Sequence, residues 1–210
     1  MVMKIIVGAI STNCYFLYDK ETKAAMVIDP GDNADAILKV IRENGFEVGY
    51  ILLTHGHFDH ILAAQGVKEA TGAKLVVHKD DAPRLLSSAV EDYQPYLSGG
   101  YKEPKPDILA KDGETISFGP LEVKYVSTPG HTEGSCVILS GDVMFSGDTL
   151  FYRECGRCDL PGGDYNEMLR SLKKLALLPG DYTVYPGHGV KSTLSDERLH
   201  NPYIRQAMAR

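Results

Sequence analysis

The chain has no tryptophan, only four cysteines and no surplus of positive charge. Each shortage excludes something. Lys and Arg number 22 against 28 Asp and Glu, a formal net charge of −6, so no general basic field exists to draw in nucleic acid or an anionic membrane surface. The cysteines stand at 14, 136, 155 and 158, too few and too scattered for a disulfide scaffold in 210 residues. They fit a reducing, cytoplasmic setting. No stretch approaches the roughly 18 apolar residues of a membrane span. The first ten residues give way to Ser11-Thr12-Asn13 too soon for a secretory signal. Low-complexity tracts and short-period repeats are missing as well.

What is present is an ordinary globular composition, 43% hydrophobic and 24% charged. Apolar runs at 3–7, 14–18 and 24–28 predict three strands joined by polar turns. Asp29-Pro30-Gly31 ends the third. Asp32 or Asn33 caps a helix over 34–44, with Ile37, Leu38 and Ile41 on one face, and Gly45 stops it. Residues 50–53 are apolar throughout, the pattern of a strand buried on both faces. A helix is expected over 61–71, a strand over 74–77 and a short helix near 82–88. Residues 89–108, with Pro95, Gly99, Gly100, Pro104 and Pro106, read as a long loop, either a solvated connector or a functional segment. The pattern then restarts. Strands are expected at 114–118, 121–126, 135–139, 143–146 and 182–185, and helices over 165–177 and 194–200. One domain of two similar halves, about 1–105 and 106–210, follows. Periodicity implies an α/β or α+β fold with two sheets and leaves the topology open.

The chemistry concentrates in Thr54-His55-Gly56-His57-Phe58-Asp59-His60, between the 50–53 strand and a helix. With 7 His in the chain, an H-x-H-x-D-H window arises by chance in fewer than roughly one in a thousand such sequences. A strand-to-helix loop lets His55 and His57 converge, and Asp59 and His60 follow from the first helical turn. Imidazole and carboxylate are ligands for zinc, iron or manganese. Four such groups in six residues need not serve one ion; as two pairs they suggest two adjacent metals. Further ligands are at hand. His131 lies in Pro129-Gly130-His131-Thr132, Asp148 in Ser146-Gly147-Asp148-Thr149, and His188 in Pro186-Gly187-His188-Gly189, each just after a predicted strand. His78 and His200 are left without a role.

The motifs T-H-G-H-F-D-H, P-G-H-T-x-G, S-G-D-T-L-F and P-G-H-G, in this order and spacing, resemble the metallo-β-lactamase-fold hydrolases, and among them the glyoxalase II-like branch. The likeness runs from about Asn13 to the tail Glu197-Arg198-Leu199-His200-Asn201-Pro202. It implies a four-layer αβ/βα sandwich, two sheets face to face with helices outside and the site at one edge. It also implies that His55, His57 and His131 bind one metal, that Asp59, His60 and His188 bind a second, and that Asp148 bridges them. Lactamases usually carry Arg in place of His60 and Cys in place of Asp148, and the flavo-diiron branch carries Glu in place of His57. RNA-processing relatives add a long insertion. This chain shows none of these. Glyoxalase II proper has a helical C-terminal region for glutathione, and the roughly twenty residues after Gly189 are too few to build one. The chain is similar to the short, single-domain bacterial relatives.

The function so implied is metal-dependent hydrolysis. Two divalent ions, zinc first with iron or manganese as alternatives, would hold a hydroxide that attacks a thioester carbonyl, as in hydroxyacylglutathione hydrolase, or a related ester or lactone. Asp59 would bind metal and orient the nucleophile. Thr54, Thr132 and Asp29 are candidates to fix the imidazole tautomers, Asp29 standing equally as a turn residue before Pro30. Residues 151–164 are expected to line the pocket, with Tyr152, Cys155 and Arg157 as candidate substrate contacts. For Arg157 a structural pair with Asp159 is the favoured reading. Cys155-Gly156-Arg157-Cys158 lacks the context of a redox motif or a zinc ribbon, although Arg153 and Arg157 stand close enough to lower a thiol pKa. Two other classes compete. A mononuclear iron persulfide dioxygenase would hold its iron through residues matching His55, His131 and Asp148, against which the intact His188 speaks. A non-catalytic metal-binding protein would keep the fold without turnover. The expected partner is a small-molecule substrate, with no nucleic acid and no membrane.

Overall fold

The computed structural model of the chain describes residues 1–90 and 100–210. Strands β1 (Val2–Val7), β2 (Thr12–Tyr18) and β3 (Ala24–Ile28) form an antiparallel start. Helix α1 (Ala34–Asn44) returns the chain to β4 (Glu47–Leu52); α2 (Phe58–Ile61) and α3 (Ala64–Thr71) lead to β5 (Lys74–His78), and β6 (Ile108–Ala110) closes the sheet. Its order is β1-β2-β3-β4-β5-β6, parallel from β3 onward. Parallel neighbours on both sides explain why residues 50–53 carry no polar face.

The second sheet takes β7 (Thr115–Phe118), β8 (Leu121–Ser127), β9 (Cys136–Ser140), β10 (Val143–Gly147), β13 (Thr183–Pro186) and β14 (Ser192–Thr193), in the order β14-β13-β10-β9-β8-β7. Between β10 and β13 run a small hairpin, β11 (Leu150–Phe151) with β12 (Glu154–Cys155), and helix α4 (Tyr165–Ala176). Helices α5 (Leu194–His200) and α6 (Pro202–Met208) end the chain.

Strand alternation divides the apolar residues among three cores. Phe16, Val27, Ile51 and Leu75 face outward under α1 and α3, while Tyr15, Leu17, Ile28, Leu52 and Val76 meet Val123, Tyr125, Ile138 and Phe145 between the sheets. Val137, Met144 and Val184 pack outward against Met168, Leu172 and Leu175 of α4 and Ile204 of α6. Helix, sheet, sheet, helix is the expected four-layer αβ/βα sandwich. Tyr15 stitches the central layer. Its ring sits 5.4 Å from those of Phe145 and Tyr185, and its hydroxyl donates to Pro186 O at 2.7 Å.

Departures from expectation have local causes. The helix expected over 61–71 is broken, because the Ala63 N–H donates to Pro30 O at 3.0 Å across the β3 loop. The helix near 82–88 is two tight turns, Ala82–Leu85 and Ser87–Ala89, separated by an extended Leu86. Residues 91–99 of the expected 89–108 loop lie outside the described residues, and 108–110 form β6, so the first sheet extends past the boundary expected near 105. Helix α6 was not anticipated; Asn201 caps it by accepting from Tyr203 N and Ile204 N, with Pro202 in the first turn. The buried Glu197 of α5 accepts from Arg153 N at 3.0 Å and from Asn201 Nδ2 at 2.9 Å, tying the β11–β12 hairpin to the tail. No helix among the described residues is long and apolar enough to cross a membrane.

Leu172 is fully buried in the outer core of the second sheet. Leu172→Ala is therefore expected to lower unfolding stability by about 2–5 kcal/mol, read as a shift in the urea midpoint, with the metal affinity of the folded protein unchanged.

Candidate metal centre

Five of the seven sequence-predicted ligands follow the C-terminal ends of strands, Asp59 and His60 sit on α2 just beyond the β4 loop, and the two sheets present those ends along one edge. Asp29 follows β3, Thr54 to His57 follow β4, His131 follows β8, Asp148 follows β10 and His188 follows β13. The edge is laced across the sheets. Cys136 N donates to Thr54 O at 2.9 Å and Asn13 N to Gly187 O at 2.7 Å. Asn13 Nδ2 adds a bond to Pro186 O at 2.9 Å.

The seven predicted ligands meet. One donor atom each from His55, His57 and His131 lie within 4.8 Å of one another, as do those of Asp59, His60 and His188, and those of His55, His60 and Asp148. His57 Nδ1 is 2.8 Å from His131 Nε2. Asp148 spans the groups, with Oδ1 3.5 Å from His60 Nε2 and Oδ2 3.6 Å from both His131 Nε2 and His188 Nε2. Asp59 Oδ2 lies 3.2 Å from His188 Nε2 and 3.3 Å from His60 Nε2.

The far nitrogens of three rings are held by outer partners, which settles their tautomers. His60 Nδ1 meets Asp29 Oδ2 at 3.0 Å, His55 Nδ1 meets Thr54 Oγ1 at 3.1 Å and His131 Nδ1 meets Arg157 O at 2.7 Å. Asp29 also accepts from Thr54 N and Thr54 Oγ1, at 2.8 and 2.7 Å. It is thus an orienting residue rather than a simple turn residue, and its φ of +50° aims the carboxylate inward. Thr132 makes no such contact; its hydroxyl donates to Asp81. Two partners escaped the sequence reading. Thr12 Oγ1 donates to Asp59 Oδ2 at 2.8 Å, and Asp81 lies buried behind the histidine loops. The polar Ser-Thr-Asn entering an apolar strand was the signal available for Thr12.

The donor set fits a metal. Among the described residues His55 Nε2, His60 Nε2 and Asp148 Oδ1 are buried and have no hydrogen-bond partner. Groups that face each other at 3.3–3.5 Å without bonding point at a shared centre. Burial, then His60, His131 and His57, push His55 well down, so its nitrogen stays a neutral ligand. Burial and His131 bring His57 down to about 3. His60 moves the other way. Burial opposes its charge, but Asp59, Asp148 and Asp29 outweigh burial and push it up. Burial likewise opposes ionisation of Asp59, and His60 and His188 overcome it, holding the carboxyl far below the ordinary range. Three carboxylates around one imidazole concentrate negative charge where a divalent cation balances it.

A cavity of about 470 Å³ opens over these donors, walled by Ile10, Phe58, Phe151, Leu160 and Arg157. Arg157 lines it and also grips Asp159 through two bonds of 2.7 and 2.8 Å. The other two substrate candidates lie elsewhere. Tyr152 is exposed with Arg153 stacked on its ring, and Cys155 faces a separate open groove with Cys158 and Tyr203. Both thiols are free, and burial pushes Cys155 up to about 12 and raises Cys158. Lowering by the neighbouring arginines does not prevail.

A family model described as the metallo-beta-lactamase superfamily matches residues 7–188. Hydroxyacylglutathione hydrolase GloC of Haemophilus influenzae is 32% identical over 204 residues, covering 95% of this chain and 96% of that protein. The crystal structure of BLEG-1 B3 metallo-beta-lactamase superposes with a TM-score of 0.89 at 34% identity, covering 97% of this chain and 99% of that one. That of TTHA1623 in a di-iron-bound form gives 0.83 at 30%, covering 96% and 99%. The chain belongs to the metallo-β-lactamase superfamily. With its converging His and Asp clusters, it is a metal-dependent hydrolase of that superfamily.

Two outcomes follow from this geometry. A Cβ placed on Gly187 would stand 2.1 Å from Asp148 Oδ1 and 2.7 Å from His60 Cε1, with no positive φ to complicate the exchange. Gly187→Ala should weaken metal retention by about tenfold or more, measured as metal per chain after dialysis. For the raised thiols the sign is simple: little thiolate exists at neutral pH. Disulfide reagents should modify Cys155 and Cys158 much more slowly than a free cysteine at pH 7, and faster as pH rises toward 12.

Proposed function

We propose that the chain is a dinuclear thioesterase that cleaves hydroxyacylglutathione-type thioesters. The observation that carries this is the placement of Asp148, one carboxylate reaching His60 with one oxygen and both His131 and His188 with the other. It suits two ions side by side, His55, His57 and His131 holding one, Asp59, His60 and His188 the other, with Asp148 shared. His188 beside Asp59 supports a second ion over the single iron of a persulfide dioxygenase. The likeness to GloC along nearly the full length supports the thioester. Zinc is the favoured ion, and the di-iron form of TTHA1623 keeps iron as the alternative.

Divalent ions held there supply Lewis-acid polarisation of a carbonyl and a water acidic enough to attack at neutral pH. The chain's own residues do the rest. Asp59 stays ionised, is fixed by the Thr12 hydroxyl at 2.8 Å, and would orient the attacking water by accepting a hydrogen bond from it. Asp29 and Thr54 keep His60 and His55 turned toward the centre. Ile10, Phe58, Phe151 and Leu160 exclude bulk water from the acyl carbon. Arg157 and Asp159 are both exposed, so their pairing costs little to open and lets the guanidinium engage a substrate carboxylate.

The similarity to BLEG-1 favours a second reading, opening of a β-lactam ring. One set of assays separates them. The zinc-loaded chain is given a hydroxyacylglutathione, a simple lactone and a β-lactam, and iron content and oxygen uptake with glutathione persulfide are followed in the iron-loaded chain. Thiol release that chelator abolishes and zinc restores is expected, with His188→Ala losing at least the roughly tenfold to hundredfold typical of disturbed metal sites. β-Lactam turnover without thioesterase activity supports the second reading instead. One iron per chain with persulfide-dependent oxygen uptake overturns both.

A further inference from the structure

Asp81 is fully buried, carries a carboxylate and touches none of the metal-facing atoms. A buried charge is expensive unless its bonds repay it, so its partners show what it is for. Asp81 Oδ2 accepts from Gly56 N at 2.7 Å and from Thr132 Oγ1 at 2.8 Å, while Oδ1 accepts from Gly134 N at 2.8 Å. Gly56 is the residue between His55 and His57; Thr132 follows His131. One carboxylate therefore grips two loops that carry three histidines, one loop from each sheet. We propose that Asp81 is a positioning residue that sets the separation of the His55–His57 and His131 loops, and so the geometry of the three-histidine metal position.

Several observations agree. All three partners donate, a demand that an acceptor-only group satisfies and an amide of the same shape does not. The loops are packed to contact around the carboxylate. A Cβ on Gly134 would stand 2.7 Å from Asp81 Oδ1 and 2.5 Å from Asp81 N, and one on Gly56 would stand 3.0 Å from Asp81 O and 2.7 Å from Arg84 Cβ. The glycines of His-Gly-His and His-Thr-Glu-Gly thus leave room for this clasp as well as for their own turns. Arg84 extends it. Its Nε lies 3.3 Å from Asp81 Oδ1, and its Nη2 donates to Pro161 O at 2.8 Å and to Glu133 Oε2, reaching the wall segment that includes Leu160. Asp81 itself is held by a turn after β5, where its N–H donates to His78 O at 3.0 Å.

This inference rests on the reading of the site as a metal centre, and its test keeps the two apart. Cobalt(II) is titrated into the wild-type chain and into Asp81→Asn, Thr132→Val and Thr132→Ser, in competition with a chromophoric chelator, and the visible ligand-field bands are recorded. Asp81→Asn should bind cobalt about tenfold to hundredfold more weakly with shifted bands. Thr132→Val should move the same way, and Thr132→Ser, which keeps the hydroxyl, should return toward wild type. In the zinc form kcat should fall with KM nearly constant. Leu172→Ala, destabilised through the distant outer core, gives the change that lost stability alone produces. Wild-type affinity and bands in Asp81→Asn, or changes no larger than those of Leu172→Ala, overturn the proposal. Should Asp81→Asn fail to fold, identical behaviour of Thr132→Val and Thr132→Ser overturns it equally. A wild-type chain that takes up no cobalt overturns the metal reading, and this inference with it.

Discussion

Imidazole nitrogens and carboxylate oxygens face one another at the sheet edge, with His55, His60 and His131 buried, and the architecture around them answers to that crowding. A buried polar atom without a partner costs roughly 1–3 kcal/mol. Three such atoms, on His55, His60 and Asp148, lie within one small volume. Such a cluster persists only where the backbone is held too firmly to relax away from it. Strand ends provide that firmness. The donors outside α2 sit within a few residues of a hydrogen-bonded ladder, and bonds such as Cys136 N to Thr54 O and Asn13 N to Gly187 O prevent the two sheets from sliding apart. The cation that balances the donors then stabilises the edge that presents them, so binding and folding are linked.

The elements that periodicity specifies strongly were legible. Helix α1 has its cap, its apolar stripe and its closing Gly45, and the structure gives the expected span. Residues 50–52 of β4 have no polar face because the strand lies between parallel neighbours. The seven donors were legible for another reason: glycine-flanked His and Asp directly after apolar runs is a pattern that few structural needs would produce. Their convergence from four separate stretches, at 55–60, 131, 148 and 188, is a property of the tertiary fold, and the family likeness, rather than spacing, implied it.

What stayed hidden depends on partners remote in sequence. The Ala63 break arises because Pro30 O competes for an N–H that a helix would otherwise use. Thr12 becomes part of the site only because β2 begins against the His188 loop, where the two residues pair. Asp81 looks like an ordinary turn residue among Lys79, Asp80 and Arg84 until the loops that close over it are known. Asn201-Pro202 was a local signal for α6, a capping residue followed by proline at the first helical position, and only a reading tied to long apolar stripes passes over it.

The division of labour within the site bears on what decides the substrate. A metal ion held by these ligands would polarise the carbonyl of a thioester, lactone or β-lactam alike, since all three develop negative charge on one oxygen in the transition state. Discrimination therefore falls to the wall, where a methylene more or less is worth about 1–3 kcal/mol. Here that wall is mainly apolar, with Ile10, Phe58, Phe151 and Leu160 set around the donors, and its cation Arg157 stands opposite a carboxylate of its own. Such a surface rewards an acyl group that buries hydrocarbon. It leaves a charged leaving group to compete with Asp159 for the guanidinium at the rim. The backbone of that same arginine orients His131 through its carbonyl. Under the proposed role of Arg157, a substrate that drew its side chain inward would act on a residue already joined to His131, and selectivity and site geometry would meet at one position.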